Sequence, residues 1–225
     1  MNLKGSRANG AAADWGKPLF SCGGADVICE WYMRVLKEAL RKRLRHHRQN
    51  ITAKERSDAE QEIAQHLFQS SLFKQAQKMA IYLPFDGEVP THIILQTALL
   101  RQKAVYAPVV ASNSLKFVKI SLDTPLRANR FGIVEPHYPL MKQIPPAQFD
   151  IVIVPMVGFD HHCHRLGMGG GFYDKTFAFK KRTLKPKLIG LAYDFQRVSR
   201  IPTSGLDLLL DEVITEKRRY RPLSI

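Results

Sequence analysis

Apolar residues recur at helical spacing near the start of the chain. Val35, Leu36, Ala39, Leu40 and Leu44 predict an amphipathic helix over residues 30–49. Arg34, Lys37, Arg41, Lys42, Arg43, Arg45 and Arg48 crowd its remaining faces. Thr52 and Glu55 stand three apart, as in a capping box, and predict a second helix ending near Ser70. Ile63, Ala64, Leu67 and Phe68 form its inward stripe. The pattern then shortens. Apolar runs at 78–83, 104–110, 115–120, 151–154, 187–192 and 213–215 read as strands. Thr91 opens a further helix carrying Ile94, Leu95, Ala98 and Leu99, and residues 121–148 read mostly as loop. Strands alternating with helices predict an α/β fold. We expect a single three-layer domain, with a mainly parallel sheet flanked by helices and the basic helix at its amino-terminal end. Ligands of such sheets bind beyond the carboxyl ends of the strands, and Leu83, Val110 and Val154 each lead into a loop at that edge.

One of those loops stands apart. Residues 159–174 read Phe-Asp-His-His-Cys-His-Arg-Leu-Gly-Met-Gly-Gly-Gly-Phe-Tyr-Asp. Gly167, Gly169, Gly170 and Gly171 lie between the predicted strand at 151–154 and a predicted helix beginning at Asp174. A turn without side chains lets backbone N–H groups approach a phosphate. The spacing is not Gly-x-x-x-x-Gly-Lys-Ser/Thr, and the third glycine of a dinucleotide fingerprint would fall on Phe172. Glycines alone also make tight turns that bind nothing. The neighbours favour a nucleotide: Arg165 can neutralise phosphate charge, and Asp174 can hold the magnesium that accompanies ATP, cap the helix, or both.

Composition narrows the setting. A chain of 225 residues, 45% of them hydrophobic, is enough for one sizeable core. No apolar run approaches the roughly 20 residues that span a bilayer. Residues 1–32 lack the apolar centre of a secretory signal and carry Asp14, Asp26 and Glu30. They are expected to form a disordered lead-in to a domain at 33–225. Cys22, Cys29 and Cys163 are sparse and odd in number, which argues for a reducing, cytoplasmic setting. The cluster His161-His-Cys-His164 reads as a solvated loop, because adjacent residues do not easily wrap a tetrahedral ion. A formal charge of +14 implies anionic partners, either nucleic acid or small anions such as ATP.

The segment Arg165-Leu-Gly-Met-Gly-Gly-Gly-Phe-Tyr-Asp174, preceded by Val154-Pro-Met-Val-Gly-Phe-Asp160, resembles the signature of the 5-formyltetrahydrofolate cyclo-ligases, also called methenyltetrahydrofolate synthetases. The resemblance runs from about Met33 to Thr215. It includes Lys37-Glu-Ala-Leu-Arg41, Ile81-Tyr-Leu-Pro-Phe-Asp-Gly-Glu-Val-Pro-Thr91, Phe131-Gly-Ile-Val-Glu-Pro136 and Leu210-Asp-Glu-Val213. It implies ATP-dependent cyclisation of 5-formyltetrahydrofolate with magnesium, by phosphoryl transfer to the formyl oxygen. It implies ATP contacts from Lys37, Arg41, Arg165, Leu166, Gly167, Met168, Gly169, Gly170, Gly171, Phe172 and Tyr173. It implies folate contacts from Leu83 and Glu88, with Met168 to Phe172 shared, and metal ligation by Asp174 and, more weakly matched, Asp211. The polyanionic tail of an extended folate suits the positive charge. A monomer with no membrane partner is expected. One departure stands out: the family has glycine and then Asn or a similar polar residue before Arg-Leu-Gly, where this chain has Cys163-His164. Two other readings stay open. One is a nucleic-acid-binding protein using the helix 34–48 and the tail Lys217-Arg-Arg-Tyr-Arg221; the other is a paralogue with another substrate.

Overall fold

The computed structural model describes residues 25–137 and 143–222. Three helices open the described chain: α1 (Ala25–Asn50), α2 (Ala53–Gln69) and α3 (Ser71–Gln75). Strand β1 (Lys78–Ala80), helix α4 (His92–Leu100) and the hairpin β2 (Ala104–Ala111) and β3 (Ser114–Lys119) follow. A second hairpin, β4 (Leu126–Ala128) and β5 (Val134–Pro136), occupies the stretch expected to be loop. Then come β6 (Ile151–Val154), the small pair β7 (Gly158–Phe159) and β8 (Arg165–Leu166), and helix α5 (Phe172–Thr176). Strands β9 (Lys187–Leu191), β10 (Glu212–Ile214) and β11 (Arg219–Tyr220) complete the order.

The main sheet runs β11-β10-β9-β6-β1-β2-β3. Its five inner strands are parallel, and β3 and β11 close the two edges antiparallel. The all-buried run Ile-Val-Ile-Val of β6 explains its central place, since a parallel strand is covered on both faces. Helices α2 and α4 cover one face through Ile63, Leu67, Ile94 and Ala98. Phe117, Phe149, Phe177 and Leu208 fill the other. The chain winds outward from β1 in one direction and from β6 in the other. The crevice at their carboxyl ends is therefore the topological switch point where ligands of open α/β sheets bind.

The capping box is formed: Thr52 Oγ1 accepts from Glu55 N–H at 3.2 Å, and Thr52 N–H donates to Glu55 Oε2 at 2.8 Å. Three expectations need correction. Helix α1 begins at Ala25, so residues 25–32 of the expected lead-in are helical; the rest of that segment, with Cys22, lies outside the described residues. The helix expected from Asp174 is the five-residue α5, continued by a 3-10 turn at Ala178–Arg182. The third concerns the face that α1 presents. Val35 and Leu36 are exposed, whereas Lys37 and Arg41 are half-buried and Leu44 and Arg48 are buried. The expected apolar stripe loses because each inward cation finds a fixed partner: Lys37 meets Asp207, Arg41 meets Gly167 O, and Arg45 and Arg48 meet Asp86. Arg48, one of the cations assigned to the faces away from the apolar stripe, is fully buried.

Candidate active site

Helix α1 lies on the β7–β8 pair through Leu44, Val157, Leu166 and Ile201. Gly158 allows this approach, because a Cβ there would stand 2.6 Å from Leu44 Cδ1. The packing hangs the amino-terminal half of α1 over the glycine turn. Lys37 Nζ donates to Asp207 Oδ2 at 2.9 Å, and Arg41 Nε donates to Gly167 O at 2.9 Å. The turn itself follows β8. Gly169 and Gly171 adopt φ of +106° and +66°, which only glycine takes without strain.

Arg165 stands at the base of the turn. Its Nη2 donates to both oxygens of Asp174 at 2.8 and 2.9 Å. Its Nε is buried and has no hydrogen-bond partner among the described residues, and its guanidinium carbon lies 5.6 Å from the Tyr173 ring centre. An orphaned, buried cationic donor beside bare backbone amides is a strong anion-binding arrangement. The departure from the family pattern is accommodated upstream. Cys163 holds a left-handed φ of +63°, and buried Asp160 accepts the N–H groups of His162 and His164, which fixes the turn.

These groups open onto one cavity of about 290 Å³. Lys37, Arg41 and every residue from Arg165 to Asp174 line one side. Tyr82, Leu83, Phe85 and Glu88, from the loop after β1, line another. Pro108, Val110 and Leu115 of the β2–β3 hairpin and Ile133, Val134 and Glu135 around β5 complete the wall. Beyond Met168 and Gly169 a broader groove of about 1110 Å³ continues past Trp31 and Arg34.

Glu88 is 8% exposed. Burial pushes its carboxyl from 4.5 up to about 7, although Arg48 and the Phe85 N–H both favour its ionised form. Its Oε2 accepts that N–H at 3.1 Å. The loop carrying it is pinned from α1: Arg45 and Arg48 reach Asp86 Oδ2 at 2.7 and 2.9 Å, and Gln49 reaches Oδ1. Burial likewise pushes the Tyr173 hydroxyl upward, so it is a neutral donor in this cavity.

One expected residue does not join them. Asp211 does not line the cavity; its carboxylate takes Lys187 Nζ at 2.9 Å, Lys180 Nζ at 3.2 Å and the Leu188 N–H at 2.9 Å. Asp207, four residues earlier and missed by the sequence reading, lines the cavity instead. Burial opposes its ionisation, but the Ser204 N–H and Lys37 outweigh it and hold the carboxyl below its usual range. Glu135 was also missed, although its segment was part of the resemblance; its burial was invisible because the β4–β5 hairpin was read as loop. Among the described residues no three His, Cys, Asp or Glu side chains converge as a metal cage. Among the described residues Asp174 Oδ2 has a single donor, from Arg165, which suits an ion that brings phosphate and water ligands with it.

The chain matches the model of the 5-formyltetrahydrofolate cyclo-ligase family over residues 34–216. It is 36% identical over 182 residues to the 5-formyltetrahydrofolate cyclo-ligase of Haemophilus influenzae, covering 79% of this chain and 96% of that one. It is 31% identical over 178 residues to the enzyme of that name from Escherichia coli, covering 78% and 97%. The solved structure of Aquifex aeolicus 5,10-methenyltetrahydrofolate synthetase superposes with a TM-score of 0.72 at 32% identity, covering 84% of this chain and 94% of that one. With that sheet, that turn and these relatives, the chain belongs to the 5-formyltetrahydrofolate cyclo-ligase family.

Proposed function

We propose that this chain, through its domain at 33–225, converts 5-formyltetrahydrofolate and ATP to 5,10-methenyltetrahydrofolate, ADP and phosphate. The observation that carries the reading is a single cavity joining a cationic glycine turn to a buried carboxylate. A formamide oxygen is a poor leaving group. Transfer of the γ-phosphoryl group onto it makes a phosphate that can leave, and the neighbouring anilino nitrogen closes the ring. Such transfer needs positioning and charge stabilisation more than covalent help from the protein. Lys37, Arg41 and Arg165 neutralise the phosphates, while the amides of residues 169–171 meet the charge that develops on them. Asp174 would hold the magnesium that accompanies ATP, and the ion would supply neutralisation of phosphate charge there. The nucleoside extends toward the groove past Arg34, which is large enough to receive it.

Glu88 takes the amino-pyrimidine edge of the pterin. An ionised carboxylate can accept two parallel N–H bonds there, which sets orientation. Leu83 packs beside it, and Met168 to Phe172 separate the two substrates. We place the enzyme in the cytoplasm as a monomer; among the described residues no helix is long and apolar enough to cross a membrane. The inward turn of Lys37, Arg41, Arg45 and Arg48 removes much of the basic face that a nucleic-acid reading needs.

The test is direct. Purified protein with ATP, magnesium and 5-formyltetrahydrofolate produces the near-ultraviolet absorbance of the methenyl product, and omission of ATP abolishes it. Absence of an ATP-dependent signal overturns the reading. Glu88→Ala separates it from a paralogue with another substrate by raising the folate KM far more than the ATP KM.

A further inference from the structure

We propose that Glu135 is the general base of the cyclisation step, accepting the proton of the attacking nitrogen. The proposal rests on the cyclo-ligase reading and adds a group that reading leaves out. Phosphoryl transfer releases no proton that must be taken at the carbon centre, but ring closure does. The anilino nitrogen attacks while still carrying its hydrogen. As its bond to the formyl carbon forms, the N–H bond must break and the proton must go somewhere. Only then can the carbon–oxygen bond to phosphate break, with phosphate taking the electron pair and the amidinium double bond forming.

Four carboxylates line the cavity: Glu88, Glu135, Asp174 and Asp207. Two are committed to cations. Asp174 receives Arg165 at 2.8 Å and Asp207 receives Lys37 at 2.9 Å, so a proton placed on either would break an ion pair at the phosphate end. Glu88 is assigned to the pterin edge. Glu135 is 7% exposed and forms no ion pair among the described residues. Its Oε2 is held by two neutral donors, the Val110 N–H at 3.3 Å and Asn129 Nδ2 at 3.1 Å. Its Oε1 accepts no hydrogen bond among the described residues.

The mounting is hydrogen-bonded on both sides of Asn129. Asn129 Oδ1 in turn accepts the N–H groups of Phe131 and Ile133 at 2.9 and 3.1 Å, tying the hairpin that carries Glu135 into one network. A carboxylate with one oxygen anchored and the other without a donor among the described residues, in a cavity whose lining also includes Pro108, Val110, Leu115 and Ile133, is arranged to receive a proton from a bound ligand. The proton then passes to solvent when product leaves.

A single-turnover experiment with enzyme in excess decides it, following ADP by rapid quench and the methenyl product by absorbance. In the wild type the two appear together. Glu135→Gln keeps an oxygen for the Val110 N–H. It is expected to form ADP at near the wild-type rate while methenyl formation slows by about 100-fold or more, with the folate half-saturation little changed. A raised folate KM with kcat intact would make Glu135 a binding group and overturn the proposal. So would ADP and product slowing together, or the split appearing in Glu88→Gln instead. Should Glu135→Gln not fold, Glu135→Asp, which withdraws the carboxylate by one methylene, must still slow cyclisation while sparing ADP formation. A wild-type protein that forms no methenyl product at all overturns the cyclo-ligase reading itself, and this proposal with it.

Discussion

Replacing Glu88 by Gln tests the electrostatics of the cavity without any substrate. The free carboxyl shifts from 4.5 to about 7 because burial removes its hydration faster than Arg48 and the Phe85 N–H restore it. Between those values the folded chain holds a proton that the unfolded chain has released. Proton binding then favours the folded state at low pH, and that advantage is lost as pH rises through about 7. At about 1.4 kcal/mol per pH unit, the shift amounts to about 3 kcal/mol. Gln keeps the acceptor for Phe85 and cannot ionise. Urea unfolding of both proteins from pH 4.5 to 8 gives the difference directly. The variant should be close to wild type near pH 4.5 and more stable by about 3 kcal/mol at pH 8, with the change centred between pH 5 and 7. A stability difference that is flat across this range would refute the claim that Glu88 is desolvated. The same argument makes folate binding release protons near neutral pH, because the pterin edge requires the ionised form.

Three further outcomes follow from residues whose surroundings the structure revealed. Arg48→Met should cost about 2–4 kcal/mol, measured by denaturant unfolding, because it removes one of the two donors to Met156 O, leaving only Gln196 Nε2, and takes the fully buried cation away from Asp86. Asp211→Ala should leave the magnesium dependence of turnover unchanged, since its carboxylate is occupied by Lys180 and Lys187, whereas Asp174→Asn should raise the magnesium requirement several-fold in a titration of activity against metal.

The sequence by itself determined the alternation of elements, the central strand at 151–154 and the glycine turn, because these depend on local properties. Periodicity reports which residues can be covered, a capping box closes within four residues, and glycine is favoured where φ is positive or a backbone must be approached. The family signature lies in the same contiguous stretch, so it too could be read without coordinates. What the tertiary structure decided are choices between chemically equal neighbours. Asp207 and Asp211 are the same residue type four positions apart, and only the path of the loop before β10 turns the first toward the cavity and the second toward two lysines. The face of α1 was misread for a related reason: a cation turns inward when a partner from a distant segment waits there, and Asp86, Met156, Gly167 and Asp207 are 38 to 170 residues away from the groups they meet. Glu135 became visible only when a hairpin in an apparent loop folded over the switch point. Hydrophobic pattern specifies which surfaces are buried; the pairing of polar groups inside depends on which distant segments meet, and that is settled by packing.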